Sequence, residues 1–208
     1  MDFPALIEQC APAVSVLTMS AIVKQESNFN PYAIGVNGDY ILERQPESKQ
    51  EAIEAVSWLE QQGQTNLDLG ISQISKRNRE YFNLSTSDSF DACQNINVGA
   101  AILSDNYTRS VNSGLSEQDA LRAAISEYNT GSKTAGYKNG YVQKVIKNVG
   151  IAKVTVPDII STVAKVDVTP EKPKRAYSEI VISNVKNSEK NENIYSQEEG
   201  RRSLFVYE

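Results

Sequence analysis

No histidine occurs anywhere in the 208 residues. That absence removes serine–histidine and cysteine–histidine nucleophilic catalysis, together with the usual histidine-bearing zinc sites. Cysteine is scarce too. Cys10 and Cys93 are the whole supply, too few for a cysteine metal site and compatible with either one disulfide or two buried thiols. A bridge between them would close a loop of about 80 residues, worth roughly 4 kcal/mol in the chain-entropy model, and would require an oxidising compartment. Positive charge is not in excess: 21 Lys and Arg stand against 26 Asp and Glu, for a net charge of −5. Nucleic acid is therefore not an expected partner, because phosphate affinity needs clustered cations. No stretch reaches the roughly 18 apolar residues needed to span a membrane. The apolar run over 11–23 is broken by Pro12, Ser15, Thr18 and Ser20 and reads as a helix entering a core. Asp2 stands where a basic cluster would open a conventional signal peptide, so either a leader has been removed or export takes another route. What is present, 40% hydrophobic and 23% charged residues, describes a soluble globular chain whose available chemistry is carboxylate chemistry.

Periodicity fills the first three quarters of the chain. Leu17, Ala21, Ile22 and Val23 fall near helical spacing and predict a helix over 15–28, stopped by Pro31, which pushes Asn30 out of the helical region. Asn37-Gly38 between two apolar stretches is the strongest short signal for a hairpin. A helix over 47–62 follows, with Ile53, Val56 and Leu59 inward and Gly63 at its end. Residues 67–74 lack a helical period and contain Gly70, predicting a strand or loop that leads to a short helix. Further helices are expected over 90–111, from a Ser116–Asp119 capping box to about 128, and over 141–148 with Gly150 as the stop. The pattern is α+β and mostly helical, with one small β-hairpin. Residues 1–151 form the expected domain. Residues 152–208 are expected to be a polar, largely disordered tail, since 165–200 are rich in Lys, Glu, Ser, Asn and Pro. Within it Glu179-Ile180-Val181-Ile182 reads either as a transient extended segment or as a strand for addition to a partner's sheet edge.

Among the carboxylates Glu26 stands out. It lies four residues after Ile22 and three after Val23, continuing the apolar face of its helix. It also sits in the last turn, where the helix dipole disfavours an anion. Desolvation and the dipole both raise a carboxyl pKa, and a carboxyl kept protonated near neutrality is what general-acid cleavage of a glycosidic bond needs. A solvated glutamate beside Lys24 is the competing reading of the same local features.

Four segments in order decide between them: Ala21-Ile22-Val23-Lys24-Gln25-Glu26-Ser27 followed by Asn30-Pro31-Tyr32-Ala33-Ile34-Gly35-Val36-Asn37-Gly38; Asp68-Leu69-Gly70-Ile71-Ser72-Gln73-Ile74; Tyr128-Asn129-Thr130-Gly131; and Asn139-Gly140-Tyr141-Val142. Over about residues 8–150 the sequence resembles the lytic transglycosylases associated with type IV secretion, relatives of goose-type lysozyme, and says little about the tail. The resemblance implies a lysozyme-like domain and makes Glu26 the single acid/base. It places Ser27 beside Glu26, able to hold the glycan or orient a reacting group. Gly70 and Gln73 match the Gly-x-x-Gln motif, in which glycine lets a sugar approach and the amide both donates and accepts. Tyr128 and Asn129 match the pair lining the catalytic floor, and Tyr141 the tyrosine of the fourth motif. Family members often pair their cysteines, which implies a Cys10–Cys93 disulfide and an extracytoplasmic, periplasmic setting.

The implied substrate is peptidoglycan, cleaved between N-acetylmuramic acid and N-acetylglucosamine to leave 1,6-anhydro ends, and the implied reaction requires no metal and no organic cofactor. The implied partners are type IV secretion components, reached through the tail. Glu127 departs from the family pattern, which favours a small or uncharged residue there; it points either to solvent or to the cleft as a second charge. A hydrolytic muramidase using Asp39, Glu43 or Asp68 to activate water is the alternative within the same chemistry. A glycan-binding assembly factor with dispensable catalysis is the alternative outside it.

Overall fold

The computed structural model describes residues 2–38, 40–152 and 182–184. The chain opens with α1 (Phe3–Cys10), where the Asp2 side chain accepts from the Ala5 N–H and Pro4 occupies the first turn, which needs no donor. Next comes α2 (Val16–Ser27), which buries Met19, Ile22, Val23 and Glu26. The helix ends before the expected proline stop. Asn28 turns left-handed at φ 52°, its N–H closing on the Lys24 carbonyl, and Phe29 follows at φ 65°. Two consecutive side-chain-bearing residues in that region are uncommon, and Phe29 is held by stacking on Phe3 with ring centroids 4.9 Å apart.

Strands β1 (Ile34–Val36) and β2 (Tyr40–Leu42) flank Asn37-Gly38, and α3 (Lys49–Gln61), β3 (Leu67–Leu69), β4 (Ile74–Ser75) and α4 (Lys76–Tyr81) follow. The expected hairpin at Asn37-Gly38 does not form. The sheet order is β1-β3-β4, antiparallel, with Ile34 opposite Leu69 and Leu69 opposite Ile74. Its one tight hairpin is β3–β4, turning through Gly70, Ile71, Ser72 and Gln73. The reason is burial. β1 and β3 are buried along their whole lengths and pack with Ala52, Ala55, Val56 and Leu59 of α3. On the other edge of β1 the Gln45 amide takes both the N–H of Ile34, at 2.7 Å, and its carbonyl, at 3.1 Å. A side chain thus fills the place a neighbouring strand would take.

The remaining helices are α5 (Thr86–Ser89), α6 (Ala92–Asn112), α7 (Glu117–Thr130), α8 (Ala135–Lys138) and α9 (Tyr141–Ala152). α7 begins on the expected cap, with Ser116 Oγ accepting from the Asp119 N–H at 3.3 Å. α9 runs through Gly150 instead of stopping there. One helical glycine costs only about 1 kcal/mol, less than the burial of Val142 and Val145 gains. α2, α6, α7 and α9 share a core built on Ile22, Ile102, Leu103, Ala124, Ile125, Tyr128 and Val142. A second core joins α1, α2 and α6 through Ile7, Met19, Val23 and Ile96. Cys10 and Cys93 are joined as a disulfide, Cα–Cα 5.2 Å, tying the end of α1 to the first turn of α6. Next to it Asn97 Nδ2 donates to the Cys10 carbonyl at 3.1 Å.

Strand β5 (Ile182–Asn184) pairs antiparallel with β2, Leu42 opposite Ile182. The strand expected near this position pairs within its own chain, forming a separate two-stranded sheet with β2. The rest of the segment from 153 onward, and the disorder expected for it, lie outside the described residues. No helix among the described residues is long and apolar enough to cross a membrane.

Candidate active site

The α2 pattern carries Glu26 inward, 3% exposed. Its carboxylate meets Tyr141, whose phenol donates to Glu26 Oε1 across 115 positions of sequence. Tyr141 reaches it because α9 starts beside the end of α2 and packs along it, with Asn148 Nδ2 donating to Ala21 O and Gln25 Oε1. The start of α9 is set by Asn139. Its Oδ1 accepts from the Tyr141 N–H at 3.0 Å, and its Nδ2 donates to Asn129 Oδ1 at 3.1 Å. Asn129 and Tyr128 come from the last turn of α7, both buried. Tyr128 donates to the Ser72 carbonyl at 2.8 Å. Burial pushes its hydroxyl well above the ordinary tyrosine range, and the charge of Glu26 adds to the effect. Tyr128 is therefore a fixed donor, and it lies within electrostatic reach of Glu26.

The Gly70–Gln73 turn is bonded to α2 through Ser27 and to α7 through Tyr128. Gly70 sits at φ +79°, and an added Cβ would stand 2.0 Å from the Ser89 carbonyl and 2.3 Å from Asn95 Nδ2. On the side that a Cβ would occupy, the protein itself makes the close approach. Gln73 is left-handed at φ 50°. Its amide donates to the carbonyls of Gly70, at 2.9 Å, and Ala33, at 3.1 Å. Both its donors are taken internally, so the amide oxygen is what it offers a ligand. Ser27 is fully buried, and its hydroxyl donates to the Ile71 carbonyl at 2.7 Å. It ties α2 to the turn.

The carboxylates considered as partners for Glu26 are placed differently. Asp68 is buried on β3 and accepts from Asn37 Nδ2 at 3.0 Å. Glu43 is exposed, and Asp39 lies outside the described residues. Glu127 meets Arg109 of α6 at 3.0 Å, with its side chain 12% exposed, so an ion pair answers the question its sequence position raises. Three residues that hold the site were not singled out from sequence: Asn95, Asn139 and Gly99. Asn139 carried a signal, an Asn-Gly directly before a helix start. Asn95 looked like any polar helix residue.

The chain is similar to known proteins over most of its length. The family model described as the transglycosylase SLT domain matches residues 4–150. A Brucella abortus (strain 2308) protein named type IV secretion system protein virB1 is 43% identical over 171 residues, covering 78% of this chain and 71% of that one. The Brucella suis relative of the same name is 42% identical over 177 residues, covering 82% and 72%. Protein virB1 of Agrobacterium fabrum is 34% identical over 147 residues, covering 69% and 58%. No solved structure matches the chain. With the family model spanning the whole helical and sheet framework around Glu26, the chain belongs to the SLT family of peptidoglycan lytic transglycosylases.

Proposed function

We propose that Glu26 is the single acid/base of the reaction, working on the bond between N-acetylmuramic acid and N-acetylglucosamine. The observation that carries this reading is a buried carboxyl at the end of α2 with a phenol donated to it by Tyr141. Glu26 protonates the bridging oxygen as the bond from C1 to that oxygen breaks. The substrate's 2-acetamido group stabilises the oxocarbenium-like centre. The muramyl C6 hydroxyl then attacks C1, and the Glu26 carboxylate takes its proton, leaving a 1,6-anhydro end and a restored acid. No water is consumed. Most glycosidases use two carboxyl groups; substrate assistance makes the second unnecessary, in keeping with Glu127 held by Arg109 and Asp68 held by Asn37.

Tyr141 orients the Glu26 carboxyl, while Tyr128 and Asn129 line the floor on which the reacting sugar rests. Gln73 accepts a hydrogen bond from the glycan through its amide oxygen. Ser27 and Gly70 act as positioning residues behind it, and residues 1–151 are the catalytic unit. The disulfide suits an oxidising, periplasmic setting. By the names of its relatives, the enzyme opens the wall locally for a type IV secretion or conjugation apparatus, with residues 152–208 as the segment that contacts apparatus components. Mass spectrometry of muropeptides released from purified peptidoglycan tests the chemistry. Products one water lighter than hydrolytic ones, ending in anhydro-muramic acid, are expected. Reducing-end products would make the enzyme a muramidase. No release with glycan binding intact would favour an assembly factor.

A further inference from the structure

The turn that carries Gln73 has little regular structure to hold it. β3 and β4 are three and two residues long, too short to fix a hairpin on their own. Yet Gln73 occupies a left-handed conformation that a side-chain-bearing residue keeps only when its surroundings impose it. A buried amide of α6 bonds to this turn. Asn95 is fully buried. Its Oδ1 accepts the Ser72 N–H at 2.7 Å, and its Nδ2 donates to the Leu69 and Ser89 carbonyls, both at 2.9 Å. One amide therefore reads the turn at both ends and pins it to the segment before α6.

α6 can come this close because of Gly99. A Cβ there would stand 2.8 Å from Ser72 Cβ and 3.0 Å from Met19 Cε. The other side-chain ties from the helices each act on a single group, Ser27 on the Ile71 carbonyl and Tyr128 on the Ser72 carbonyl, while the Ala33 backbone carbonyl accepts from both the Gly70 N–H and Gln73 Nε2. Asn95 alone among these three side chains combines an acceptor and two donors. It does so from a turn of α6 that the disulfide at Cys93 anchors.

We infer that Asn95 is a positioning residue for catalysis: its amide, made to fit the Gly70–Gln73 turn, sets where Gln73 presents its side chain to the glycan opposite Glu26. The inference rests on the reading of Glu26 and Gln73 above. Asn95 touches no substrate and acts through Gln73. Loss of its fit displaces Gln73 while leaving the Glu26–Tyr141 side of the cleft in place.

The test is a double-mutant cycle on muropeptide release, with kcat and KM measured separately. Asn95→Asp keeps the acceptor for Ser72 and nearly the same volume, while its ionised form loses both donors. It is expected to lower kcat by about 100-fold, the scale of an ångström-sized misplacement. Gln73→Ala is expected to do the same, and the double variant no worse than either single, because residues acting as one unit are not additive. The protonated aspartic acid regains one donor, so the pH profile of Asn95→Asp should rise towards acid more steeply than that of the native enzyme. Losses that multiply, or a folded Asn95→Asp with native kcat, would overturn the inference. Hydrogen exchange on the unaltered protein covers a variant that fails to fold. The Ser72 amide should be as protected as the amides of mid-α6, and fast exchange there would also overturn it. If Glu26→Gln retains activity, the reading of Glu26 fails. The coupling of Asn95 to Gln73 can still be read from glycan binding, so the two failures are separable.

Discussion

On one side of the cleft Glu26 and Tyr141 lie 115 positions apart and meet because α2 and α9 zip along an apolar seam of Ala21, Ile22, Val142 and Val145. On the other side the turn over 70–73 has one apolar anchor, Ile71, in the core under α1 and α2. The rest of its placement comes from polar ties, made by side chains reaching in from α2, α6 and α7 and by the Ala33 carbonyl before β1. The first wall is held by area, which is forgiving of small changes in shape. The second is held by hydrogen bonds with fixed directions, each worth about 1 kcal/mol net but more when a buried partner is left unmade. Substitutions should therefore be absorbed on the helical wall and felt on the turn.

Gly70→Ala should break the turn most severely. It places a methyl group 2.0 Å from the Ser89 carbonyl at φ +79°, and a loss of more than about 3 kcal/mol is expected in urea denaturation. Gly114→Ala is its control: the backbone is equally left-handed at φ +89° but nothing lies within 4 Å, so only the conformational penalty of about 1 kcal/mol should appear. Equal losses at the two positions would mean that the crowding around Gly70 has little weight. Next in size, replacing Cys10 and Cys93 by serine should cost about 2–4 kcal/mol by thermal melting. Below the melting range it should also slow cleavage, since the bridge anchors the turn of α6 that carries Asn95.

Tyr128→Phe should cost about 1 kcal/mol of stability, leaving the Ser72 carbonyl without its donor, and lower kcat more than KM. The smallest effect lies away from both walls, at Glu51 in the first turn of α3. Burial there acts to raise its pKa, but bonds from Arg44 and the Glu47 N–H outweigh it and hold the pKa below the ordinary glutamate value. The stabilisation is present above the unfolded-state pKa and disappears as pH falls through the lowered folded value. Glu51→Gln should remove no more than about 0.5 kcal/mol at neutral pH and flatten the melting temperature between neutral and acid pH.

The same contrast decides what could be read from sequence. The helices α2 and α3 follow from apolar spacing, because burial of a face is a local, periodic property, and the start of α7 follows from its capping box. The Glu26 face was legible for that reason, and Tyr128, Asn129 and Tyr141 through their motifs. The pairing of β1 with β3 was not: Asn37-Gly38 carries a strong local turn signal, but the partner strand was chosen by burial against α3 and by a glutamine filling the edge. Nor was the role of Asn95, whose three bonds join it to residues 6 to 26 positions away. For Ser27 the structure adds an internal bond, to the Ile71 carbonyl, that its motif position did not announce.

The central claim is that one carboxyl on the helical wall does the chemistry. Turnover of purified peptidoglycan by Glu26→Gln, measured beside its melting temperature, tests it most directly. The expected result is a folded protein, with Tyr141 and its helix in place, whose release of anhydro-muropeptides falls at least about 10²–10⁴-fold, the range for loss of a general acid. A folded Glu26→Gln that still releases anhydro-muropeptides near the native rate would contradict it and move the acid to another residue of the cleft.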